Sequence, residues 1–142
     1  MAGYSGTPLP KKLGIKEGSR CAFIGAPPGF SESLGELPAE ATVDALSPGA
    51  IDVAVFFTTD RAELAGALPG LGEGVFPAGG LWIAWPKKAA KVATDLTEDV
   101  LREVILPTGL VDNKVCAIDE RWSGLRFVWR KELRGGPGPP PR

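Results

Sequence analysis

The stretch that decides the fold is Ile51–Thr58, which reads IDVAVFFT. Its apolar residues run almost without interruption instead of alternating with polar ones. A strand of that kind is covered on both faces, as in the middle of a parallel sheet. Toward the C-terminus, Leu64, Leu68 and Leu71 recur at i, i+4 and i+7. That spacing predicts a helix from about Arg61 to Leu71, with Asp60 placed to cap it. Pro69 and Gly70 predict a break or kink there, with a second short turn over Gly72–Phe76. Pro77–Gly80 reads as a turn and Leu81–Trp85 (LWIAW) as another buried strand ended by Pro86.

Toward the N-terminus, Arg20–Gly25 (RCAFIG) is a short apolar run that stops at a Gly/Pro cluster, and so reads as the first strand. Phe30–Leu37 predicts a short helix with Ser31 as N-cap. Thr42–Leu46 is a weaker strand closed by Ser47-Pro48-Gly49. Thr97–Leu106 predicts a helix, with Thr97 as N-cap and Glu98 and Asp99 in the first turn, where the macrodipole favours acids. Val100, Leu101, Val104 and Ile105 form its apolar stripe, and Pro107 and Gly109 stop it. Lys114–Asp119 and Leu125–Arg130 flank Glu120–Gly124 as a β-hairpin.

Strands separated by helices call for a parallel sheet with helices on both faces. The closing hairpin selects a variant. The expected fold is a three-layer Rossmann-like (methyltransferase-like) α/β fold: a mostly parallel sheet with a C-terminal antiparallel hairpin, strand three missing. Residues 11–134 form the expected single domain. Residues 1–10 read as a flexible segment, although Leu9–Ile15 could dock as a helical turn. Residues 135–142 (GGPGPPPR) read as disordered, for want of apolar area to offset ordering.

The 142 residues fit one domain, with 44% hydrophobic and 23% charged residues. A net charge of −1 gives no electrostatic reason to expect nucleic acid or an anionic membrane as partner. The first ten residues contain no apolar signal region, and no run approaches the ~20 residues that span a bilayer. A cytoplasmic protein is the expectation. The chain contains no histidine. That removes the Ser-His-Asp triad, the Cys-His pair, the imidazole base and histidine-containing metal sites. Cys21 and Cys116 sit in apolar runs and read as buried reduced thiols. No P-loop, dinucleotide fingerprint, cysteine pair or paired carboxylates stand out. No cofactor and no metal are expected.

A set of segments carries a family likeness: KKLGIKEG, GAPPGF, PAGGLWIAWPKK, ATDLTEDVLRE and GLVDNKVCAIDERWSGLRFV. Together, over roughly Pro10 to Leu133, they resemble a family of small bacterial proteins defined as a domain of unknown function. The chain order resembles that of S-adenosylmethionine-dependent methyltransferases. That likeness implies a glycine loop after strand one and an acid at the end of strand two. Here the loop is Gly25-Ala26-Pro27-Pro28-Gly29-Phe30. Its two prolines have no N–H to donate and a fixed φ. Strand two ends Ala45-Leu46-Ser47, with no acid, and Asp44 on alternation faces the other way. The stretch from Leu46 to Ile51 leaves no room for a third strand and its helix.

Ligands of open α/β sheets bind beyond the carboxyl ends of the strands, where strand order reverses. The candidate crevice is therefore Gly25, Ala26, Gly29 and Phe30, with Thr58, Thr59, Asp60 and Arg61. It is either a small-molecule pocket or a crevice plugged by Pro27 and Pro28. Lys87 and Lys88, with Lys91 close by, run toward Asp95 and the next helix. This is either a site for a small anionic ligand at a helix N-terminus or a solvated basic loop. Asn113 and Lys114 enter the last hairpin near the same end. Trp122 and Ser123, at the hairpin tip, are either an interface or an indole folded over the sheet.

The sequence supports a non-catalytic Rossmann-like binding or interaction domain, with an unidentified protein partner or small anionic ligand. The alternative is a small enzyme that binds S-adenosylmethionine or a nucleotide through a degenerate first loop. A homodimer through the sheet edge or hairpin is a third possibility.

Overall fold

The computed structural model describes residues 7–139. Its centre is one six-stranded sheet. The strands are β1 (Arg20–Ile24), β2 (Thr42–Val43), β3 (Val53–Phe57), β4 (Gly80–Pro86), β5 (Leu110–Ala117) and β6 (Trp122–Trp129), in the order β2-β1-β3-β4-β6-β5. The first four run parallel, and β6 joins β4 antiparallel with β5 outside it. The fold is a shortened methyltransferase-like Rossmann fold. β3 is buried along its whole length, as its unbroken apolar run requires.

The helices are α1 (Leu9–Leu13), α2 (Phe30–Leu34), α3 (Arg61–Val75) and α4 (Glu98–Ile105). α3 and α4 cover one face, packing Leu64, Leu68, Leu101 and Ile105 on Leu81, Ile83, Leu125 and Phe127. The short α1 and α2 cover part of the other face, where Leu13, Phe30 and Leu34 cluster with Val55, Phe57 and Trp82. Trp82 is fully buried and donates its indole N–H to the Leu13 carbonyl at 2.9 Å. Leu9 and Pro10, which composition assigned to the flexible segment, are buried parts of α1. Met1–Gly6 and the last three residues of the predicted tail lie outside the described residues.

Several elements differ from the sequence reading. α2 begins at Phe30 with Gly29 in the cap position, so Ser31 is inside the helix. α3 does not break at Pro69 but runs on to Val75. Three features keep it whole. Asp60 caps its start, accepting from the Ala62 N–H at 2.8 Å. Leu68, Leu71 and Val75 are buried beyond and around the proline. Its last four carbonyls also all find donors. Gly72 O accepts from the Trp129 indole (2.9 Å), Glu73 O from Gly49 N (2.9 Å), Gly74 O from Ile51 N (3.0 Å) and Val75 O from Gly79 N (2.8 Å).

β2 is cut to two residues, not the predicted five. Residues 44–52 then lead directly into β3, with Leu46 laid against Gly70 and Gly74 of α3. A Cβ on Gly74 would stand 2.5 Å from Leu46 Cδ1, so the bare glycine lets the Leu46 side chain lie close against the helix. The hairpin turn is also tighter than predicted. One oxygen of Asp119 accepts from the N–H groups of Arg121 (2.8 Å) and Trp122 (2.9 Å), which closes the turn early. Trp122 and Ser123 therefore belong to β6, paired with Pro86 and Trp85, and do not form a tip.

Candidate functional site

Two regions flank the carboxyl edge of the sheet. The first is the loop after β1. Pro27 O accepts from the Phe30 N–H at 3.1 Å, closing a turn with Pro28 and Gly29 at its corners. Gly29, at φ 86° and ψ −5°, has the left-handed geometry of the third position of a type II turn. Phe30 is 5% exposed. It stacks edge-on against Phe23 (5.2 Å) and Phe57 (4.9 Å), and Phe57 in turn meets Trp122 (5.2 Å). Phe30, read from sequence as lining a crevice, is a core residue. Trp122, read as an interface candidate, turns its indole onto Phe57 and is half-buried.

Thr58, Thr59 and Asp60 follow β3 at the same edge. Thr58 is 3% exposed, and its hydroxyl donates to the Glu63 carboxylate while accepting from the Asp60 N–H. Thr59 O accepts from the Thr94 hydroxyl at 2.7 Å. Asp95 accepts from the Arg61 N–H at 2.8 Å, adding a second carboxylate to the start of α3. The polar groups expected to face a ligand here bind one another.

The acid at the end of β2 is Asp44, directly after Val43. Its N–H still bonds Cys21 O at 2.7 Å, level with the middle of β1 and short of Gly25. Its carboxylate accepts from the Thr42 hydroxyl (2.7 Å) and meets Arg20 Nε at 3.4 Å. The Thr42 hydrogen bond, helped by Arg20, holds it below the usual carboxylate range.

An S-adenosylmethionine cofactor, which this fold family implies, needs close backbone approach at the first loop and an acid level with it. The residues here do not fit that group. Between Ala26 and Phe30, two residues have no N–H and a third N–H is spent on Pro27. The strand-two acid lies too low and is bound to Thr42 and Arg20.

The second region is a cleft of about 520 Å³ beyond the carboxyl end of β4. Its lining comes from the end of β4 (Trp85 and Pro86), the loop that follows (Lys87, Lys88 and Val92), the start of α4 (Thr97 and Glu98) and β6 (Ser123). The loop from Lys87 passes through a 3-10 turn at Lys88–Ala90 and is pinned again at Thr94 and the buried Leu96. Glu98 and Asp99 are held by Arg102 at 2.8 and 3.4 Å, and Arg102 also binds Asp112 at 3.1 Å. Arg102 thus offsets part of the negative charge of these acids. Lys87 and Lys88 pair with no carboxylate among the described residues, and Glu98 is the one acid against them in the cleft lining, so the lining itself carries more positive than negative charge. The Thr97 hydroxyl caps α4, accepting from the Val100 N–H at 3.1 Å.

The structure therefore brings together Lys87, Lys88 and Ser123, and places Asp95 at the α3 start. Asn113 lies apart from both regions, exposed on β5. Sequence reasoning missed Trp85, Thr97 and Glu98 as cleft residues. Their part was not readable because the pinning of the loop by Thr94 and Leu96 is a tertiary event. Among the described residues, no group of three or more His, Cys, Asp or Glu could hold a metal ion, and no helix is long and apolar enough to cross a membrane.

Solved structures resemble this chain along most of its length. A SAM-dependent methyltransferase from Aquifex aeolicus is 17% identical, with a TM-score of 0.55 over 82% of this chain and 85% of that one. A putative type 11 methyltransferase from Sulfolobus solfataricus is 10% identical, with a TM-score of 0.60 over 87% and 90%. Magnesium protoporphyrin IX methyltransferase from Synechocystis, solved with bound SAM, is 12% identical, with a TM-score of 0.53 over 86% and 74%. Likeness at these identities establishes the fold alone. No family model and no curated protein matches the chain, so the family resemblance rests on the quoted segments.

Proposed function

We propose that this chain is a binding domain on a methyltransferase-like scaffold, taking a small anionic ligand in the cleft beside Lys87 and Lys88. One observation carries the reading: two ammonium groups without a carboxylate partner line a cleft whose one lining acid, Glu98, is already paired with Arg102. Charge-assisted bonds to such groups are about twice as strong as neutral ones. Calorimetry at fixed ionic strength with citrate and pyrophosphate tests it. Saturable heat that disappears in the Lys87→Gln/Lys88→Gln double variant supports the reading. Equal heat in the wild type and the double variant, or none in either, removes it.

The likeness to a methyltransferase with bound SAM favours a second reading, a SAM-binding enzyme. Titration with S-adenosylmethionine and S-adenosylhomocysteine decides this. Heat at micromolar ligand supports the enzyme, and silence at millimolar ligand eliminates it.

A further inference from the structure

On the sheet face away from α3 and α4, Lys114 of β5 stands directly opposite Arg126 of β6. Like charges in that position are destabilising. The pairing is produced by a bulge. Asp112 pairs with Phe127 and Lys114 with Arg126, which leaves Asn113 as the extra residue. In an unbroken strand Asp112 and Lys114 would share a face. The bulge sends Asp112 to Arg102 on the α4 side and Lys114 to the opposite side.

Arg126 is half-buried and lies over the backbone of Gly80. A Cβ there would stand 2.5 Å from its Nε and 2.6 Å from Nη2. Among the described residues its guanidinium has neither a carboxylate nor a hydrogen-bond acceptor. Desolvation pushes its pKa down, and the charge of Arg134 pushes the same way. None of its nitrogens is both fully buried and unbonded, so this half-buried cation keeps some solvent and has room to accept an anion. Beside it is a gap of about 130 Å³, lined by Lys12, Leu13, Gly14, Trp82, Lys114 and Arg126. The gap is too small for a nucleoside, and the charged residues of its lining are Lys12, Lys114 and Arg126, with the Lys114 ammonium also donating to the Lys12 carbonyl at 3.3 Å.

We propose that this gap binds a phosphate group, held between Arg126 and Lys114 with Lys12 at its rim. The anion would turn a repulsive cross-strand pair into a bridged one. This site shares no residue with the Lys87 cleft and lies where the end of α1 meets the sheet face.

The test is thermal unfolding of the full chain in inorganic phosphate, methyl phosphate or chloride at equal ionic strength. At about ten times the dissociation constant, phosphate is expected to raise Tm by roughly 3–6 °C over chloride. A matching rise with methyl phosphate assigns the site to the phosphoryl group of a larger ligand. A rise with inorganic phosphate alone assigns it to the free ion. Lys114→Gln and Arg126→Met should each abolish the rise, while Lys87→Gln/Lys88→Gln keeps it. In phosphate-free chloride Lys114→Gln should be more stable than the wild type, because the repulsion is gone. The proposal fails if phosphate and chloride act alike, if Lys114→Gln retains the rise, or if it destabilises the chain without phosphate.

Discussion

The indole of Trp129 stands where a side chain of residue 72 would stand. A Cβ on Gly72 would lie 2.9 Å from Trp129 Cζ2, and the indole N–H caps the Gly72 carbonyl at the end of α3. Trp129→Phe keeps most of the packing but leaves that buried carbonyl without its donor. Denaturant unfolding should show a loss of about 1–2 kcal/mol. Gly72→Ala forces the ring to move and should cost about 1–3 kcal/mol. A neutral result for both would mean that this end of α3 is held elsewhere.

Gly25 is fixed by two constraints at once. Its φ is 73°, and a Cβ would meet the Phe57 carbonyl oxygen at 2.9 Å. Backbone is not displaced as a flexible side chain is. Gly25→Ala is therefore expected to lose at least about 2 kcal/mol by urea unfolding. Replacing Pro27 and Pro28 with glycine should not create S-adenosylmethionine binding, because the short β2 still leaves Asp44 too low. Calorimetric heat from that double variant would show that the prolines alone were the obstacle.

Asp95 joins the loop that lines the cleft to the first turn of α3 through the Arg61 N–H. Asp95→Ala should cost about 1 kcal/mol, as loss of a helix cap does. Hydrogen exchange should quicken between residues 87 and 96, while the amides of β3 stay protected. Faster exchange in β3 as well would mean that the bond supports the whole sheet.

The Cys21 thiol is fully buried, and desolvation, with smaller contributions from Asp52 and Asp44, pushes it up to about 11 from the ordinary 9.0. The folded value lies above the unfolded one. The contribution is therefore complete below about pH 9 and is lost as the pH rises toward 11. Cys21→Ala should flatten the stability profile in that window by up to roughly 2–3 kcal/mol. Thiol labelling should reach the half-buried Cys116 first and Cys21 only on unfolding. Fast labelling of Cys21 at pH 8 would contradict the burial.

The scaffold was readable in the residues because its signals are local and repeated. IDVAVFFT marked the central strand, the Leu64–Leu71 spacing marked α3, and Thr97 marked the start of α4. The misreadings arose where distant contacts outweigh local preference. Pro69 did not break α3, because buried leucines on both sides and donors from Gly49, Ile51 and Trp129 hold the helix beyond it. Phe30 read as a crevice residue because nothing in its neighbourhood reveals Phe57, which packs against it, whereas Trp122 takes the second of its two readings, an indole folded onto the sheet. Lys87 and Lys88 were visible as cationic, yet the cleft beside them depends on Thr94 and Leu96 anchoring a loop. The bulge at Asn113 was invisible, since a strand with one extra residue keeps an ordinary composition.

That extra residue has a counter-intuitive genetic consequence. Loss of the single codon for Asn113 would make Asp112 and Lys114 consecutive, and consecutive residues alternate faces, so every later residue of the outer strand keeps its partner and its side. One codon gained beyond Lys114 has the opposite effect, turning each later side chain to the other face unless a second bulge absorbs it. The outer strand of this molecule is thus tolerant of shortening at one position and fragile to lengthening elsewhere.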